Sequence, residues 1–232
     1  MSEAIDLSVV LPSYMEEENL RLLLPRLKTT LASLPLKSEI LIIDTIHPLD
    51  ATQDACNSNS VRYLNRSPSN SFGDAVRTGI KEARGTKIIF MDADGSHNPE
   101  FLPNLVRHKD DYDVVIASRY VDGGFTENSP SLIWMSRVLN ITYSIILKLK
   151  MKDVSNSYKL YDTAALKALS LRCNNFDIVE ELLYKLARDK QDFTFKEVPF
   201  SFKKRMFGET KRNLIKFILT YFITIIRLRF LG

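Results

Sequence analysis

Cysteine, glycine, proline and long apolar runs are all in short supply in this 232-residue chain. Two cysteines, Cys56 and Cys173, cannot make a disulfide framework, and their spacing matches no metal motif, so a reducing, cytoplasmic setting is expected. Eight glycines and nine prolines against 45% hydrophobic residues exclude a collagen-like or disordered chain. The longest apolar stretch, Leu214 to Ile226, is interrupted by Lys216 and falls short of the ~20 residues that span a bilayer. Met1-Ser2-Glu3-Ala4-Ile5-Asp6 carries acids and no basic n-region, unlike a secretory signal.

What is abundant is charge, unevenly placed. The formal net charge is +4, yet residues 201–232 hold eight Lys or Arg and one acid. That segment is +7, which leaves −3 for residues 1–200. A basic tail on an acidic body suits nucleic acid, an anionic membrane or a phosphorylated substrate. Nucleic acid is the poorest fit, because the tail's aromatics sit within an aliphatic face and not as a stacking platform.

Strand and helix signals alternate through the first two thirds. Leu7–Leu11, Glu39–Asp44, Val61–Leu64, Lys87–Met91 and Asp113–Ala117 read as short buried strands. Between them, Glu16–Leu34 (with Pro25 as a kink), Thr52–Asn57, Phe72–Arg84 and Asn98–His108 read as helices. Such β-α repetition predicts an α/β fold, a mostly parallel sheet with helices on both faces. Later come helices over Ser131–Leu149 and Phe176–Lys190, an alternating segment Phe193–Phe202, and a basic amphipathic C-terminal helix. The reading is one domain, residues 1–211, followed by a membrane-surface helix, residues 212–232. A core or oligomer-interface helix is the alternative for that tail, since its apolar face is broad.

Ligands of parallel sheets bind at the carboxyl ends of strands, where Pro12, Asp44 and Asp92 all fall. Asp92-Ala93-Asp94 follows a buried strand directly. Two carboxylates two positions apart can share a hard divalent cation, Mg2+ or Mn2+, whose remaining ligands are water and phosphate oxygens. An isolated Asp-x-Asp is also common as a plain acidic turn.

Five motifs in order give the pattern more weight: Val9-Val10-Leu11-Pro12-Ser13-Tyr14-Met15-Glu16-Glu17-Glu18-Asn19, Phe72–Gly79, Met91-Asp92-Ala93-Asp94-Gly95-Ser96-His97-Asn98-Pro99, Ala117-Ser118-Arg119-Tyr120, and Arg205-Met206-Phe207-Gly208-Glu209-Thr210-Lys211. Together they resemble the family 2 glycosyltransferases of Rossmann-like GT-A fold. The likeness is greatest to the branch that moves a sugar onto polyprenyl phosphate, mannose in the dolichyl-phosphate enzymes. The resemblance implies a metal-dependent inverting transfer of a hexose from a nucleotide sugar, GDP-mannose being favoured over UDP-glucose. It implies that Pro12 and Tyr14 wall the base and that Glu16 hydrogen-bonds it. Asp44 would lie by base or ribose. Asp92, Ala93 and Asp94 would bracket ribose and pyrophosphate, with the two aspartates on the metal. Arg119, Arg205 and Lys211 would gather on phosphates, and Asp94, Arg205 and Lys211 are the residues expected to carry catalysis. The protein would sit peripherally on the cytoplasmic face of a membrane, by its tail or through a membrane-protein partner.

Two segments depart from the family pattern. Asp44-Thr45-Ile46-His47 stands where relatives carry a second carboxylate and a small hydroxyl residue, which puts the identity of the nucleotide in question. Asn156-Ser157-Tyr158 stands where Ser-Gly-Phe is usual, followed by Lys159, a candidate for the acceptor phosphate. Glu180 and Glu181 are either acceptor-site carboxylates or ordinary early-turn helix charges. A soluble saccharide or protein acceptor, and a non-catalytic scaffold without donor binding, remain the alternative functions.

Overall fold

A computed structural model describes residues 4–208 and 214–231; Lys211 lies outside the described residues. The chain runs β1 (Leu7–Pro12), α1 (Glu17–Ala32), β2 (Ser38–Asp44), α2 (Thr52–Asn59), β3 (Arg62–Asn65), α3 (Phe72–Glu82) and β4 (Lys87–Phe90). A single 3-10 turn (Pro99–Phe101) leads into α4 (Leu102–Val106), then β5 (Val114–Ser118), β6 (Phe125–Thr126) and α5 (Pro130–Ile146). Last come β7 (Lys159–Asp162), α6 (Thr163–Lys167), α7 (Ile178–Asp189), β8 (Phe195–Pro199), β9 (Ser201–Phe202) and α8 (Leu214–Leu231).

Among the described residues, seven strands form one sheet in the order β3-β2-β1-β4-β7-β5-β8, and β6 and β9 pair separately. All neighbours in the large sheet are parallel except β7, which runs against both β4 and β5. This is the mostly parallel α/β sheet that the strand–helix alternation predicts.

Because side chains alternate along a strand, each central strand feeds two cores. Val10, Leu41, Ile43, Ile88, Phe90, Val114 and Ile116 face one side, where α3, α5, α6, α7 and α8 supply Val76, Tyr143, Leu166, Leu182 and Ile225. Val9, Leu11, Ile40, Ile42, Ile89 and Val115 face the other, covered by Leu20, Leu23, Leu24 and Leu27 of α1 and by α2 and α4. Gly79 of α3 permits the close approach on the first side, since a Cβ there would lie 2.5 Å from Val10.

Four local readings change. The helix expected over Asn98–His108 shortens to the 3-10 turn and α4, with Pro99 and Pro103 opening the two pieces. Helix α1 continues through Pro25 without interruption. The alternating segment after Phe193 divides into β8 and β9 around buried Phe200. The antiparallel β7, in the middle of the sheet, was not expected at all.

Helix α8 is amphipathic in a different sense from the one the tail composition suggests. Tyr221, Thr224, Ile225 and Leu228 are buried at three- and four-residue spacing, and the Tyr221 ring packs edge-on against Tyr143 of α5. Ile223, Ile226 and Phe230 stay exposed on the other side. The tail is therefore integral to one core and apolar on its outer face as well.

Candidate active site

From β1 the chain steps to β2 and β3 on one side in the sheet, and from β4 it goes on to β5 on the other, so the strand order switches direction between β1 and β4. A crevice opens at such a switch of direction. The main chains of β1 and β4 stay paired to their ends, where the Met91 N–H donates to the Val10 carbonyl at 3.0 Å. Pro12 and Asp92 thus emerge side by side at the strands' carboxyl ends.

The turn after Asp92 is shaped by its own side chains. Asp94 Oδ1 accepts from the Ser96 N–H at 3.0 Å and the Ser96 hydroxyl at 2.6 Å. Gly95 has φ +82, the left-handed region that glycine tolerates best, and a Cβ there would lie 2.6 Å from Met206. The Asp92 N–H donates to His97 Nδ1 at 2.9 Å, so the ring proton is on Nε2 and donates to Asn156 Oδ1 at 3.0 Å. His97 is wholly buried and stacked on Tyr158, and burial lowers its pKa against the pull of Asp92 and Asp94. It is a neutral spacer. The Ser157 hydroxyl donates to Asp92 Oδ1 at 2.8 Å. Oδ2 of each aspartate therefore takes no hydrogen bond among the described residues, and Asp92 Oδ2 lies 3.7 Å from His97 Nε2. Two such carboxylates fit Mg2+ or Mn2+ with water and phosphate completing the shell. No cluster of three or more His, Cys, Asp or Glu side chains suited to a metal occurs among the described residues.

Segment 203–208 closes over this turn. The Met206 N–H donates to the Asp94 carbonyl at 2.9 Å and the Lys203 N–H to the Ser96 carbonyl at 3.2 Å. Arg205 Nη2 contacts both Glu16 oxygens, at 2.9 and 3.0 Å, while Asn19 exchanges hydrogen bonds with the Phe207 backbone. Burial raises the Glu16 pKa; Arg205 and Asn19 oppose that and the Asp94 charge adds to it. The opening motif, the Asp92–Asp94 turn and the first half of the late basic motif are thus brought together. Tyr14 is exposed at the same strand end and Pro12 is half-buried.

Other expected residues are placed differently. Asp44 is buried, with Oδ2 accepting from the Tyr63 hydroxyl at 3.0 Å, and burial raises its pKa. The backbone beside it is held by Arg66, a buried guanidinium that donates to the Ser13, Ile43 and Asp44 carbonyls and so fastens the ends of β1 and β2. The Ala93 side chain packs in the apolar core. Arg119 is engaged by Asp153 through 2.7 and 2.8 Å contacts, with Ser155 at 2.9 Å, and both charged partners are nearly or fully buried. Burial lowers the Arg119 pKa, but the Asp153 charge outweighs it and holds the guanidinium ionised.

Lys159 is not available to an acceptor phosphate. It is fully buried in β7, where its ammonium donates to the Val154 and Asn156 carbonyls, and burial pulls its pKa down to about 8. Nor are Glu180 and Glu181 ordinary helix-surface charges, since both are buried. Glu181 accepts from the Arg172 and Cys173 N–H groups and from Lys185. Glu180 accepts from the Tyr221 hydroxyl at 2.8 Å, and burial pushes its pKa up to about 8. Sequence reasoning missed Arg66, and it marked Asn156 and Ser157 only as a departure from the family pattern, not as the partners of His97 and Asp92 that the folded loops make them.

A sheet of this order, with a crevice at the carboxyl ends of β1 and β4 and paired carboxylates directly after β4, is a doubly wound α/β fold. The chain belongs to glycosyl transferase family 2, whose model matches residues 8–170. It is 32% identical over 211 residues to a dolichol-phosphate mannosyltransferase of Pyrococcus furiosus, covering 88% of this chain and 58% of the relative. The chain thus spans little more than half that relative's length. It is 33% identical over 216 residues to an undecaprenyl-phosphate mannosyltransferase of Micrococcus luteus, covering 88% of this chain and 86% of the relative. In fold it is similar to glucosyl-3-phosphoglycerate synthase of Mycobacterium tuberculosis, solved with Mn2+, uridine diphosphate and glucosyl-3-phosphoglycerate. The TM-score is 0.71 at 16% identity, over 97% of this chain and 80% of that one. The same synthase has also been solved with Mg2+ and uridine diphosphate. The fold is GT-A-like.

Proposed function

We propose that the chain transfers a hexose, mannose by preference, from a nucleotide sugar to a polyprenyl phosphate at the cytoplasmic surface of a membrane. The observation that supports this most is the meeting of Glu16, Asp92, Asp94 and Arg205 at the ends of β1 and β4. GDP-mannose is the favoured donor, in keeping with the two mannosyltransferase relatives.

In this reading Pro12 and Tyr14 wall the base. Asp92 and Asp94 hold Mg2+ or Mn2+, which would supply Lewis-acid stabilisation of the departing nucleotide diphosphate. Arg205, released from Glu16, turns its guanidinium to the donor phosphates, and Lys211 adds a point charge. The acceptor phosphate oxygen forms a bond to the anomeric carbon as the bond from that carbon to the donor phosphate breaks, with inversion. The acceptor is already anionic, so positioning and charge stabilisation suffice without a strong base. Arg119, neutralised by Asp153, shapes the β5 end instead of carrying free charge.

Attachment to the membrane is supported by two exposed apolar stripes on contacting helices. Trp134, Val138, Ile141 and Ile145 line α5, and Ile223, Ile226 and Phe230 line α8. No helix among the described residues is long and apolar enough to cross a membrane. Surface burial of such faces beside Arg227 and Arg229 is the form of attachment they suit.

The deciding experiment is a screen of GDP-mannose and UDP-glucose with Mn2+ against a short-chain polyprenyl phosphate. Mannosyl transfer to the lipid phosphate is the expected result. Transfer only to a soluble saccharide would replace the acceptor, and absence of binding of either donor by calorimetry would leave a scaffold.

A further inference from the structure

Lined by none of the crevice residues, a cavity of about 180 Å³ opens between α7, α8 and the segment before α7. Its lining is Ser170, Arg172, Cys173, Glu181, Lys185, Arg188, Arg227 and Leu228, of which Arg172, Lys185, Arg188 and Arg227 are cations. One acid stands against four bases. That acid is already committed, because Glu181 accepts from two backbone N–H groups and from Lys185 at 2.8 Å. Lys185 is itself buried and donates a second time to the Ser170 carbonyl, so the floor is a neutral ion pair.

The walls are not neutral. Arg188 pairs with Asp189 at an exposed site and lies 5.9 Å from the Tyr184 ring centre. The guanidiniums of Arg172 and Arg227 make no hydrogen bond or ion pair among the described residues. Arg172 comes from the loop and Arg227 from α8, so tertiary packing alone brings them to one opening. Gathering like charges costs free energy that falls steeply with screening and distance. An anion with several acceptor oxygens removes that cost and accepts forked guanidinium bonds.

We propose that this cavity binds a phosphate group, as a phosphomonoester or inorganic phosphate, and that in doing so it fastens α8 to the body through Arg227. The cavity is smaller than the ~300 Å³ at which pockets for larger organic ligands begin, which fits a phosphate better than a nucleotide sugar. Two sources share this chemistry, a lipid headgroup and a free phosphate ester. The site is independent of the donor crevice, so it stands whether or not the transferase reading does.

The test uses the full chain in phosphate-free, metal-free buffer. Inorganic phosphate is titrated by calorimetry, and vesicles of phosphatidylcholine with and without phosphatidic acid are assayed by flotation. Arg172→Gln and Arg227→Gln are each expected to weaken phosphate binding about 10-fold, as loss of a charge-assisted contact does. Arg229→Gln removes the same charge from the same helix outside the cavity and is expected to change it less than about twofold. If both cavity variants also weaken phosphatidic acid-dependent flotation, the source is a headgroup; if only the titration weakens, it is a free ester. The proposal is overturned if wild type binds neither probe, or if Arg172→Gln and Arg227→Gln bind as wild type. It is equally overturned if Arg229→Gln is as damaging, or if Arg205→Gln alone abolishes binding, which would place the anion in the crevice.

Discussion

The molecule holds two pairs of neighbouring acids that look alike in composition and behave in opposite ways. Asp92 and Asp94 lie at a strand end, one oxygen of each fixed by Ser157 or Ser96 and the other left open. Glu180 and Glu181 lie in the first turn of α7, where dipole arguments alone would leave them as surface charges. Instead both are enclosed: Glu180 has one oxygen on the Tyr221 hydroxyl and the other buried without a partner, and Glu181 accepts from three donors. A carboxylate can become a ligand site when its free oxygen lies at a partly exposed strand end. It becomes a structural element when burial shuts it away from any ligand.

This contrast is open to direct attack. The largest expected effect is from Asp94→Ala, which should lower metal-dependent transfer by about 100-fold or more while costing only about 1 kcal/mol of stability through the lost Ser96 bonds. Undiminished turnover in a sugar-transfer assay would remove Asp94 from the chemistry. Glu181→Ala should do the reverse. It leaves buried Lys185 and the Cys173 and Arg172 N–H groups without their acceptor, at a cost of about 3 kcal/mol in denaturant unfolding. A stability matching wild type would mean that water replaces the carboxylate.

Glu180 sharpens the contrast through pH. Its pKa in the folded protein, about 8, lies above the ordinary value of 4.5, so the folded state binds the proton more tightly than the unfolded one. The stability this gives is complete below about pH 4.5 and is lost as pH rises through about 8. Glu180→Gln should therefore flatten the fall in thermal midpoint between mildly acidic and mildly alkaline buffer. A slope identical to wild type would assign that fall to other carboxylates raised by burial, Glu16 and Asp44.

The smallest effect concerns the support of Asp92. Ser157→Gly removes the hydroxyl that fixes Oδ1. Outer-shell changes of this kind cost about 10-fold in metal affinity, and manganese binding followed by electron paramagnetic resonance should show that with the fold intact. An affinity equal to wild type would mean that His97, through the Asp92 amide, positions the turn alone.

Most of the scaffold was legible before any coordinates. The runs at Leu7–Leu11, Glu39–Asp44 and Lys87–Met91 are apolar on both faces, which is how a strand between two helical layers must read. The endings of these runs, on Pro12, Asp44 and Asp92, pointed to the crevice. Strand β7 was illegible because Lys-Leu-Tyr-Asp is short and begins with a charge. A lysine enters a sheet interior only when, as with Lys159, carbonyls of its own loop accept its protons. Arg119 misled for the related reason that its partner, Asp153, is 34 residues away.

The tail shows the same boundary. Its spacing made it amphipathic, but composition did not say which of its apolar residues would be covered. Tyr143, Glu180 and Asp177 decided that by offering partners to Tyr221 and Thr224. Alone, then, the sequence determined the strand–helix order, the two-sided core and the place of Asp92 and Asp94, because hydrophobic period and strand ends are local properties. Tertiary structure decided which charges are neutralised and which remain for a ligand, because burial and pairing depend on residues that meet only after the chain has folded.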